Sequence, residues 1–380
     1  MKAKEAIKVI ISGGGTGGHV FPAIAIAEAI KAKEPDADIL FVGAKGKIEM
    51  EKVPKAGFPI RGLWISGFHR KLTVRNLLFP IKLVSSLAKA IGIVNSFKPQ
   101  VAVGVGGFAS GPVLKIANMM GVKTVLQEQN SYAGVTNKLL AQKADKICVA
   151  YEGMERYFPK DKIVLTGNPV RTALANSGVS KEEALRYFGL ETGKKTICVF
   201  GGSLGAKSIN VALEEQANII GQHPEVQVLW QVGKLYEEQY RKGRAAQLPN
   251  VKMTAFVDRM DMAYQMADLI VCRAGALTIS ELCLMGKPAM LIPSPNVAED
   301  HQTKNAMALA EKNAAVLLPD AESKERLFPL ALEVLNDEEK LKELAENSLK
   351  MAHPNAASDI ADVIIELGSD KVITSKSKPC

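Results

Sequence analysis

The residues best placed to do chemistry stand in a glycine-rich stretch near the N-terminus, "SGGGTGGHVFPAIAIAEAI", residues 12–30. It follows an apolar run and leads into an alanine-rich helical segment. Glycine lets a backbone approach a ligand closely, and the helix start offers unpaired N–H groups, so this loop suits a phosphate. His19 stands where the helix begins, and a helix N-terminus favours the neutral imidazole that a general base needs. The plain alternative is a polar residue at a helix start.

The same stretch contains the dinucleotide spacing G-x-G-x-x-G at Gly13, Gly15 and Gly18. An NAD-binding fold needs an acidic residue at the end of the next strand to bind the ribose. The next strand candidate, "DILFVGAKG", offers none at that place. The sequence therefore predicts no dinucleotide cofactor, and it shows no constellation of metal ligands either.

Four later loops carry polar or small residues directly after strand candidates. "GGSLGAKSIN" repeats the glycine loop, and its Ser203 suits either a diphosphate or a helix cap. "CRAGALTISE" combines small residues with Glu281, whose carboxylate can accept hydrogen bonds from a vicinal diol; a solvated glutamate is the alternative. "DHQTKNA" brings Gln302, which suits sugar hydroxyls, to another helix entry, and "EQNSYAGVTNK" is a polar loop where α/β sheets bind ligands.

The elements between these loops alternate short β-branched runs with helical segments, which predicts parallel, doubly wound sheets. Both halves open with strand, glycine loop and helix, and Asn168-Pro169 breaks the pattern between them. We expect an α/β protein with two Rossmann-like domains. The expected boundaries are 1–167 for the N-terminal domain, 168–345 for the C-terminal domain, 346–368 for a helix returning to the first domain, and 369–380 for a disordered tail.

Composition is that of an ordinary globular protein, with 380 residues, 23% charged residues and a net charge of +8. No apolar run approaches the roughly 18 residues that span a bilayer. The five cysteines form no C-x-x-C pair, which favours buried, reduced thiols. They are Cys148, Cys198, Cys272, Cys283 and Cys380.

One further segment mixes basic and apolar side chains in a way that suits an anionic membrane surface. An ordinary helix that buries its apolar face is the alternative, and the scarcity of aromatic residues speaks against nucleic acid. The residues expected to dock are Arg70, Lys71, Leu72, Arg75, Leu77, Leu78, Phe79 and Lys82.

Seven motifs, in order and spacing, resemble one family. They are "GGGTGGHVFPAIAIA", "GVGGFASGP", "EQNSYAGVTNK", "TGNPVR", "GGSLGA", "CRAGALTISE" and "DHQTKNA". The family is the UDP-N-acetylglucosamine:N-acetylmuramyl-(pentapeptide) pyrophosphoryl-undecaprenol N-acetylglucosamine transferases, which complete the peptidoglycan lipid precursor. The resemblance runs from about Ile7 to the final helices.

The resemblance implies a GT-B fold, in which two Rossmann-like domains face each other across a cleft. It implies inverting transfer of N-acetylglucosamine from UDP-GlcNAc to the C4 hydroxyl of a lipid-diphosphate-linked muramyl pentapeptide, without a cofactor. It also places such an enzyme peripherally on the cytoplasmic face of the bacterial membrane. Association with other cell-wall synthesis proteins is left open.

Site residues follow from the matching motifs. In the C-terminal half, the ribose would be bound by Glu281, and the uracil would contact the backbone of Val257. The diphosphate would lie beside Ala276, Leu277 and Thr278 and would be met by Ser203 and Arg171. The sugar hydroxyls would be bound by Gln302. From the N-terminal half, Thr16, Gly17, Gly18 and Asn130 would complete the UDP-GlcNAc site, and His19 is the preferred catalytic base. The diphosphate of the lipid acceptor would lie on a loop made of Gly14, Gly15, Thr16, Gly106 and Gly107.

Three other functions share parts of this pattern. A glycolipid synthase acting on diacylglycerol would share the UDP half but differ in the N-terminal motifs. A UDP-GlcNAc 2-epimerase would have no use for a basic apolar docking face. A non-catalytic nucleotide-binding module would leave His19, Glu281 and Gln302 without a joint purpose.

Overall fold

A computed structural model describes residues 6–67, 78–170, 178–202 and 204–369. The chain divides into two compact units, one made of Met1–Val170 with Asn355–Cys380 and the other of Arg171–Pro354. Each unit is built on one sheet whose paired strands are all parallel, so the predicted pair of Rossmann-like α/β domains is confirmed. The segment 370–380, which holds all but one residue of the expected tail, lies outside the described residues.

The sheet of the first unit has the order β3-β2-β1-β4-β5-β6-β7. Its strands are β1 Lys8–Ser12, β2 Asp38–Ala44, β3 Ile60–Leu63, β4 Val101–Gly104, β5 Lys123–Glu128, β6 Lys146–Val149 and β7 Ile163–Leu165. The helices between them are α1 Gly17–Lys33, α2 Glu49–Lys55, α3 Phe79–Phe97, α4 Ser110–Met119 and α5 Val135–Leu140.

Strand β1 shows why this sheet is covered on both faces. Successive side chains of a strand point to opposite faces, so Ile10 packs into one apolar cluster while Val9 and Ile11 pack into another. Helices α3 and α4 contribute to the first cluster. Helix α1 contributes to the second, together with the C-terminal helix Ala356–Ser369, so the end of the chain completes the core of the first unit.

The sheet of the second unit has the order β10-β9-β8-β11-β12-β13. Its strands are β8 Lys195–Phe200, β9 Val226–Gln231, β10 Val251–Thr254, β11 Leu269–Cys272, β12 Ala289–Leu291 and β13 Val316–Leu317. Its helices are α6 Lys181–Phe188, α7 Lys207–Glu215, α8 Ala217–Gly221, α9 Glu237–Tyr240, α10 Met260–Met266, α11 Ala276–Met285, α12 His301–Ala310, α13 Ser323–Asn336 and α14 Glu338–Lys350, and the helix Ala356–Ser369 of the first unit is α15.

In each sheet the strand order reverses once, between β1 and β4 in the first unit and between β8 and β11 in the second. Parallel α/β sheets bind ligands outside the carboxyl ends of the strands at such a switch point. The loops that follow these four strands are therefore the places to look for a site in each unit.

Candidate functional site

The loops after β1 and β4 touch each other at the switch point of the first unit. A Cβ on Gly107 would lie 2.3 Å from the carbonyl oxygen of Gly14, and one on Gly13 would lie 2.2 Å from a methyl group of Val105. Gly107 has a φ of +82°, which side chains other than glycine rarely adopt. These glycines are explained by the close approach of two backbones.

A buried carboxylate holds the first glycine loop through hydrogen bonds. Glu49, at the start of α2, is 1% exposed, and its two oxygens accept the N–H groups of Gly15 and Ala44, each at 2.9 Å. The carboxylate also fills the space that a Cβ on Gly14 would need. The N–H of Gly15, predicted to face a diphosphate, is therefore engaged within the protein.

His19 lies in the first turn of α1, beside the loop after β4. Its Nδ1 is 3.3 Å from the hydroxyl oxygen of Thr16, and a Cβ on Gly106 would lie 2.9 Å from its Nε2. Thr16 precedes the helix in an extended conformation and makes no side-chain cap hydrogen bond. The predicted residues Thr16, His19 and Gly106 are thus brought together around the imidazole.

The loop after β5 is held by a buried polar network. The Glu128 carboxylate accepts from Gly134 N and Asn137 Nδ2, each at 2.9 Å, and from the backbone and side chain of Asn130 at 3.1 and 3.4 Å. Burial raises the pKa of Glu128, against the effect of these donors. Gln129 in turn donates to the carbonyl of Val105, which links this loop to the one after β4.

At the switch point of the second unit there is a cavity of about 800 Å³. The second glycine loop contributes Gly201, Gly202 and Gly205 to its wall, and the loops after β11 and β12 bring Arg273 and Ser294. Thr278, in the first turn of α11, and Gln302, in the first turn of α12, also line it. The first turns of α7 and α13 also line it, so the starts of four helices surround a space large enough for a small-molecule ligand.

Arg273 ties three segments around this cavity. Its guanidinium donates to Asp320 at 2.5 Å, to the Ser208 hydroxyl at 2.7 Å and to the carbonyls of Ile292 and Pro293 at 3.0 and 3.1 Å. The side chains of Arg273 and Asp320 are 15% and 19% exposed, so this ion pair is largely withdrawn from water. Arg273 therefore holds the cavity wall in place.

Glu281 lies one turn further along α11 and is half-buried. Its Oε2 accepts a 2.7 Å hydrogen bond from the hydroxyl of Tyr264, a tyrosine that is only 1% exposed. Burial, together with the charge of Glu281, raises the pKa of Tyr264, so the phenol keeps its proton and remains a donor.

The other predicted donor-site residues have different surroundings. Ala276 and Leu277 start α11, and Val257, 4% exposed, lies between β10 and α10. None of these three, nor Glu281, is among the residues that line the cavity. Arg171 and Ser203 lie outside the described residues.

The predicted docking segment is described only in part, because Arg70, Lys71, Leu72, Arg75 and Leu77 lie outside the described residues. Leu78 is 45% exposed, and Ile81 and Val84 of α3 are 57% and 66% exposed. Lys82 donates to the Ser66 hydroxyl at 3.0 Å and lies 5.8 Å from the ring centre of Trp64, itself 46% exposed. The start of α3 and the residue before it thus present apolar side chains to solvent beside a half-buried cation.

Two further properties concern only the residues that the structure describes. No helix among them combines the length and apolar character needed to cross a bilayer. Nor do they include a group of three or more His, Cys, Asp or Glu side chains arranged to hold a metal ion.

The roles of Glu49, Tyr264 and Arg273 were not predicted from the sequence. Tyr264 had a usable signal, because a tyrosine in the mainly apolar stretch "MAYQMADLIVC" must find a partner for its hydroxyl once buried. Glu49 had no such signal, because it stands among other charged residues in "KGKIEMEK", a pattern typical of a solvent-exposed helix face.

Comparison with known proteins identifies the class. The N-terminal domain of glycosyltransferase family 28 matches residues 9–149, and the C-terminal domain of the same family matches residues 196–361. The protein is a glycosyltransferase of this family.

A relative from Bacteroides fragilis, the UDP-N-acetylglucosamine–N-acetylmuramyl-(pentapeptide) pyrophosphoryl-undecaprenol N-acetylglucosamine transferase, is 55% identical over 96% of both chains. The enzyme of the same name from Flavobacterium psychrophilum is 52% identical over 96% of this chain and 98% of its own. The chain belongs to this family of N-acetylglucosamine transferases, which confirms the resemblance found in its motifs.

Two solved structures have a fold similar to that of this chain. The crystal structure of MurG from Acinetobacter baumannii has a TM-score of 0.76 and 28% identity, covering 95% of this chain and 99% of its own. A UDP-N-acetylglucosamine 2-epimerase has a TM-score of 0.67 at 15% identity, covering 100% of this chain and 99% of its own. At 15% identity, the similarity to the epimerase shows a shared fold and nothing more.

Proposed function

We propose that this protein transfers N-acetylglucosamine from UDP-GlcNAc to the C4 hydroxyl of undecaprenyl-diphosphate-linked N-acetylmuramyl pentapeptide. The product is the β-1,4-linked disaccharide lipid precursor of peptidoglycan. Membership of the transferase family supports this reaction, and the cavity at the switch point of the second unit is the structural observation that carries it. UDP-GlcNAc is a nucleotide diphosphate sugar, and this cavity offers the first turns of four helices and a glycine loop to it.

In this proposal the second unit binds the donor. Thr278 and the helix dipole of α11 stabilise the charge that develops on the leaving diphosphate, and Gln302 binds sugar hydroxyls. The amide oxygen of Gln302 accepts the N–H of Ser294 at 2.9 Å, which orients the amide so that its NH2 group is the donor offered to a ligand. Glu281 takes the ribose hydroxyls, and Arg171 and Ser203 meet the phosphates.

The first unit binds the lipid acceptor and supplies the base. His19 removes the proton of the C4 hydroxyl as that oxygen attacks the anomeric carbon of the sugar, and inversion follows from attack opposite the leaving diphosphate. Because Glu49 already accepts the Gly15 N–H, Thr16 at the start of α1 is the member of the expected acceptor loop best suited to the acceptor diphosphate.

The membrane part of the proposal is peripheral binding to an anionic surface at the cytoplasmic face. Exposed Leu78, Ile81 and Val84 beside Lys82 favour it, since apolar side chains enter the headgroup boundary while cations pair with lipid phosphates. Replacement of those three apolar residues by serine should reduce sedimentation with phosphatidylglycerol vesicles and leave UDP affinity intact. Leu349→Ser, at a 55% exposed residue of α14, is the matched control.

The reaction is tested by incubating the protein with radiolabelled UDP-GlcNAc and the lipid-diphosphate-linked muramyl pentapeptide. Label should appear in the lipid fraction. Absence of label there, together with soluble N-acetylmannosamine, would instead indicate the epimerase alternative. His19→Ala should lower turnover by roughly two to four orders of magnitude. His223→Ala, which alters a histidine that pairs with Glu225, should not.

A further inference from the structure

A buried tyrosine stands behind the carboxylate that the proposed function assigns to the ribose. Tyr264 lies on α10, Glu281 on α11, and the Tyr264 hydroxyl donates to Glu281 Oε2 at 2.7 Å. The two residues are 17 positions apart in the sequence, so the strand β11 between them brings the helices together.

The tyrosine ring is itself fixed. Its centroid lies 6.2 Å from that of Phe200 in an edge-to-face arrangement with an interplanar angle of 87°, and Phe200 is the last residue of β8. Tyr264 and Phe200 are 1% and 5% exposed. The hydroxyl that reaches Glu281 is therefore anchored to one of the two strands that form the switch point.

The carboxylate benefits from this anchor. A glutamate side chain has three rotatable bonds, and a ligand that needs it in one orientation must order them on binding. A hydrogen bond from a fixed donor orders the carboxylate beforehand, so less binding free energy is lost when the ligand arrives. The bond engages Oε2 and constrains the plane that both oxygens share.

We propose that Tyr264 is a positioning residue for nucleotide binding, and that it holds the Glu281 carboxylate in the orientation that receives the ribose hydroxyls of UDP. This inference rests on the proposed function, because it takes the nucleotide to be UDP and Glu281 to be its ribose ligand. It adds a residue that touches no substrate and acts through Glu281 alone. In metal sites, mutation of a partner that orients a ligating side chain typically costs roughly 10- to 100-fold in affinity, and Tyr264 stands in the same relation to a ribose-binding carboxylate.

The test compares UDP with 2′,3′-dideoxyuridine 5′-diphosphate, which lacks both ribose hydroxyls, by calorimetric titration of the whole protein. Tyr264→Phe removes the hydroxyl and keeps the ring, so the packing on Phe200 is retained, which an unchanged melting curve verifies. We expect Tyr264→Phe to weaken UDP binding by about tenfold and dideoxy-UDP binding by less than about twofold. In steady-state kinetics KM for UDP-GlcNAc should rise while kcat stays near the original value.

Two controls sharpen the comparison. Tyr240→Phe removes the hydroxyl of another buried tyrosine of the same unit, one that packs on Trp230, and should change neither affinity. In a Glu281→Gln background, the further change Tyr264→Phe should add little to the loss of UDP affinity, because both changes act on one interaction.

The outcomes separate this inference from the function on which it rests. Equal weakening of UDP and dideoxy-UDP would show that Tyr264 merely supports the fold, and an unchanged UDP affinity would show that the hydroxyl is not needed; either overturns the inference alone. Equal binding of both nucleotides to the unaltered protein would overturn the ribose role of Glu281 and the inference with it. Failure of the unaltered protein to bind UDP at all would overturn the proposed function.

Discussion

The carboxylate of Glu49 accepts the backbone N–H of Gly15 at 2.9 Å, across 34 positions of sequence. Its other oxygen accepts the N–H of Ala44 at the end of β2. A side chain of α2 thus fixes the loop that leads into α1, and with it the start of the helix that carries His19. The glycine loop keeps its shape through this carboxylate, since Gly14 leaves room for it.

Glu49→Gln tests this support. A glutamine offers one oxygen and one NH2 group, so one of the two backbone N–H donors would lose its acceptor and face another donor. We expect the free energy of unfolding to fall by about 1–3 kcal/mol. Turnover should fall as well, because the loop before His19 moves. Urea denaturation and the transfer assay measure the two effects.

Glu51→Gln is the matched control for that change. Glu51 lies on the same helix, but its side chain is 60% exposed and it pairs with Lys55 at the surface. Such pairs contribute between about 0 and 1 kcal/mol, so its replacement should cost little. Equal stability losses in the two variants would contradict a special role for Glu49.

Gly106 is the residue through which the loop after β4 limits the position of His19. A Cβ there would lie 2.8 Å from Cδ2 of the imidazole and 2.9 Å from Nε2, so Gly106→Ala must displace the ring. We expect kcat to fall about 10- to 100-fold, because a base moved by about 1 Å no longer meets the reacting hydroxyl.

Gly121→Ala separates this displacement from backbone strain. Gly106 and Gly121 have φ values of +88° and +73°, so either substitution carries a similar conformational cost of about 1 kcal/mol. A Cβ on Gly121, however, would meet no atom within 4 Å. If both variants lost the same fraction of kcat, contact with His19 would not be the cause.

The fold was predictable because its signals are local. The strand candidate "DILFVG" became β2, and the glycine loops follow β1 and β8 as expected. Strands β3 and β7, with the sequences "IRGL" and "IVL", are not predictable in the same way, because runs so short carry too little periodicity. Their places at the two edges of the first sheet are set by pairing with β2 and β6.

The supporting residues of the site were not predictable in the same way. The partners of Arg273 lie up to 65 positions away, and Asp320 stands 47 positions further along the chain. Only the fold brings such side chains together, and neither an arginine nor an aspartate indicates by its residue type that it will be buried. Motif residues such as Thr278 and Gln302 are different, because their place at a helix start after a strand already indicates the ligand edge of the sheet.

The cysteines were expected to be buried and reduced, and four of them, Cys148, Cys198, Cys272 and Cys283, are free and buried. Burial raises the pKa of Cys148 and of Cys272 to about 12, so both thiols keep their protons at pH 8 and are poor nucleophiles. We expect no more than one of the five thiols to react rapidly with Ellman's reagent in the native protein, and all five after denaturation.

The same shifts predict the effect of alkaline pH. Unfolded thiols ionise near their ordinary pKa of 9.0 while the folded ones keep their protons, so the free energy of unfolding should fall as pH rises from about 9 towards 12. Two or more fast thiols in the native state, or a flat alkaline limb in urea titrations, would contradict burial of these groups.

Arg273→Lys tests whether the guanidinium holds the cavity wall together. Lysine keeps the charge but offers its donors from a single atom, so it cannot reach Asp320, Ser208 and the backbone carbonyls all at once, as Arg273 does. Loss of part of these hydrogen bonds in a largely buried site should reduce the free energy of unfolding by about 1–3 kcal/mol. The affinity for UDP should fall as well, because the hydrogen bonds that hold the wall carrying Thr278 and Gln302 are weakened.

Arg326→Lys, in a surface pair with Glu322 whose side chains are 57% and 43% exposed, is the control and should change neither quantity measurably. Should Arg273→Lys unfold and bind UDP like the unaltered protein in denaturation and calorimetry, the fork geometry of Arg273 would have no structural role.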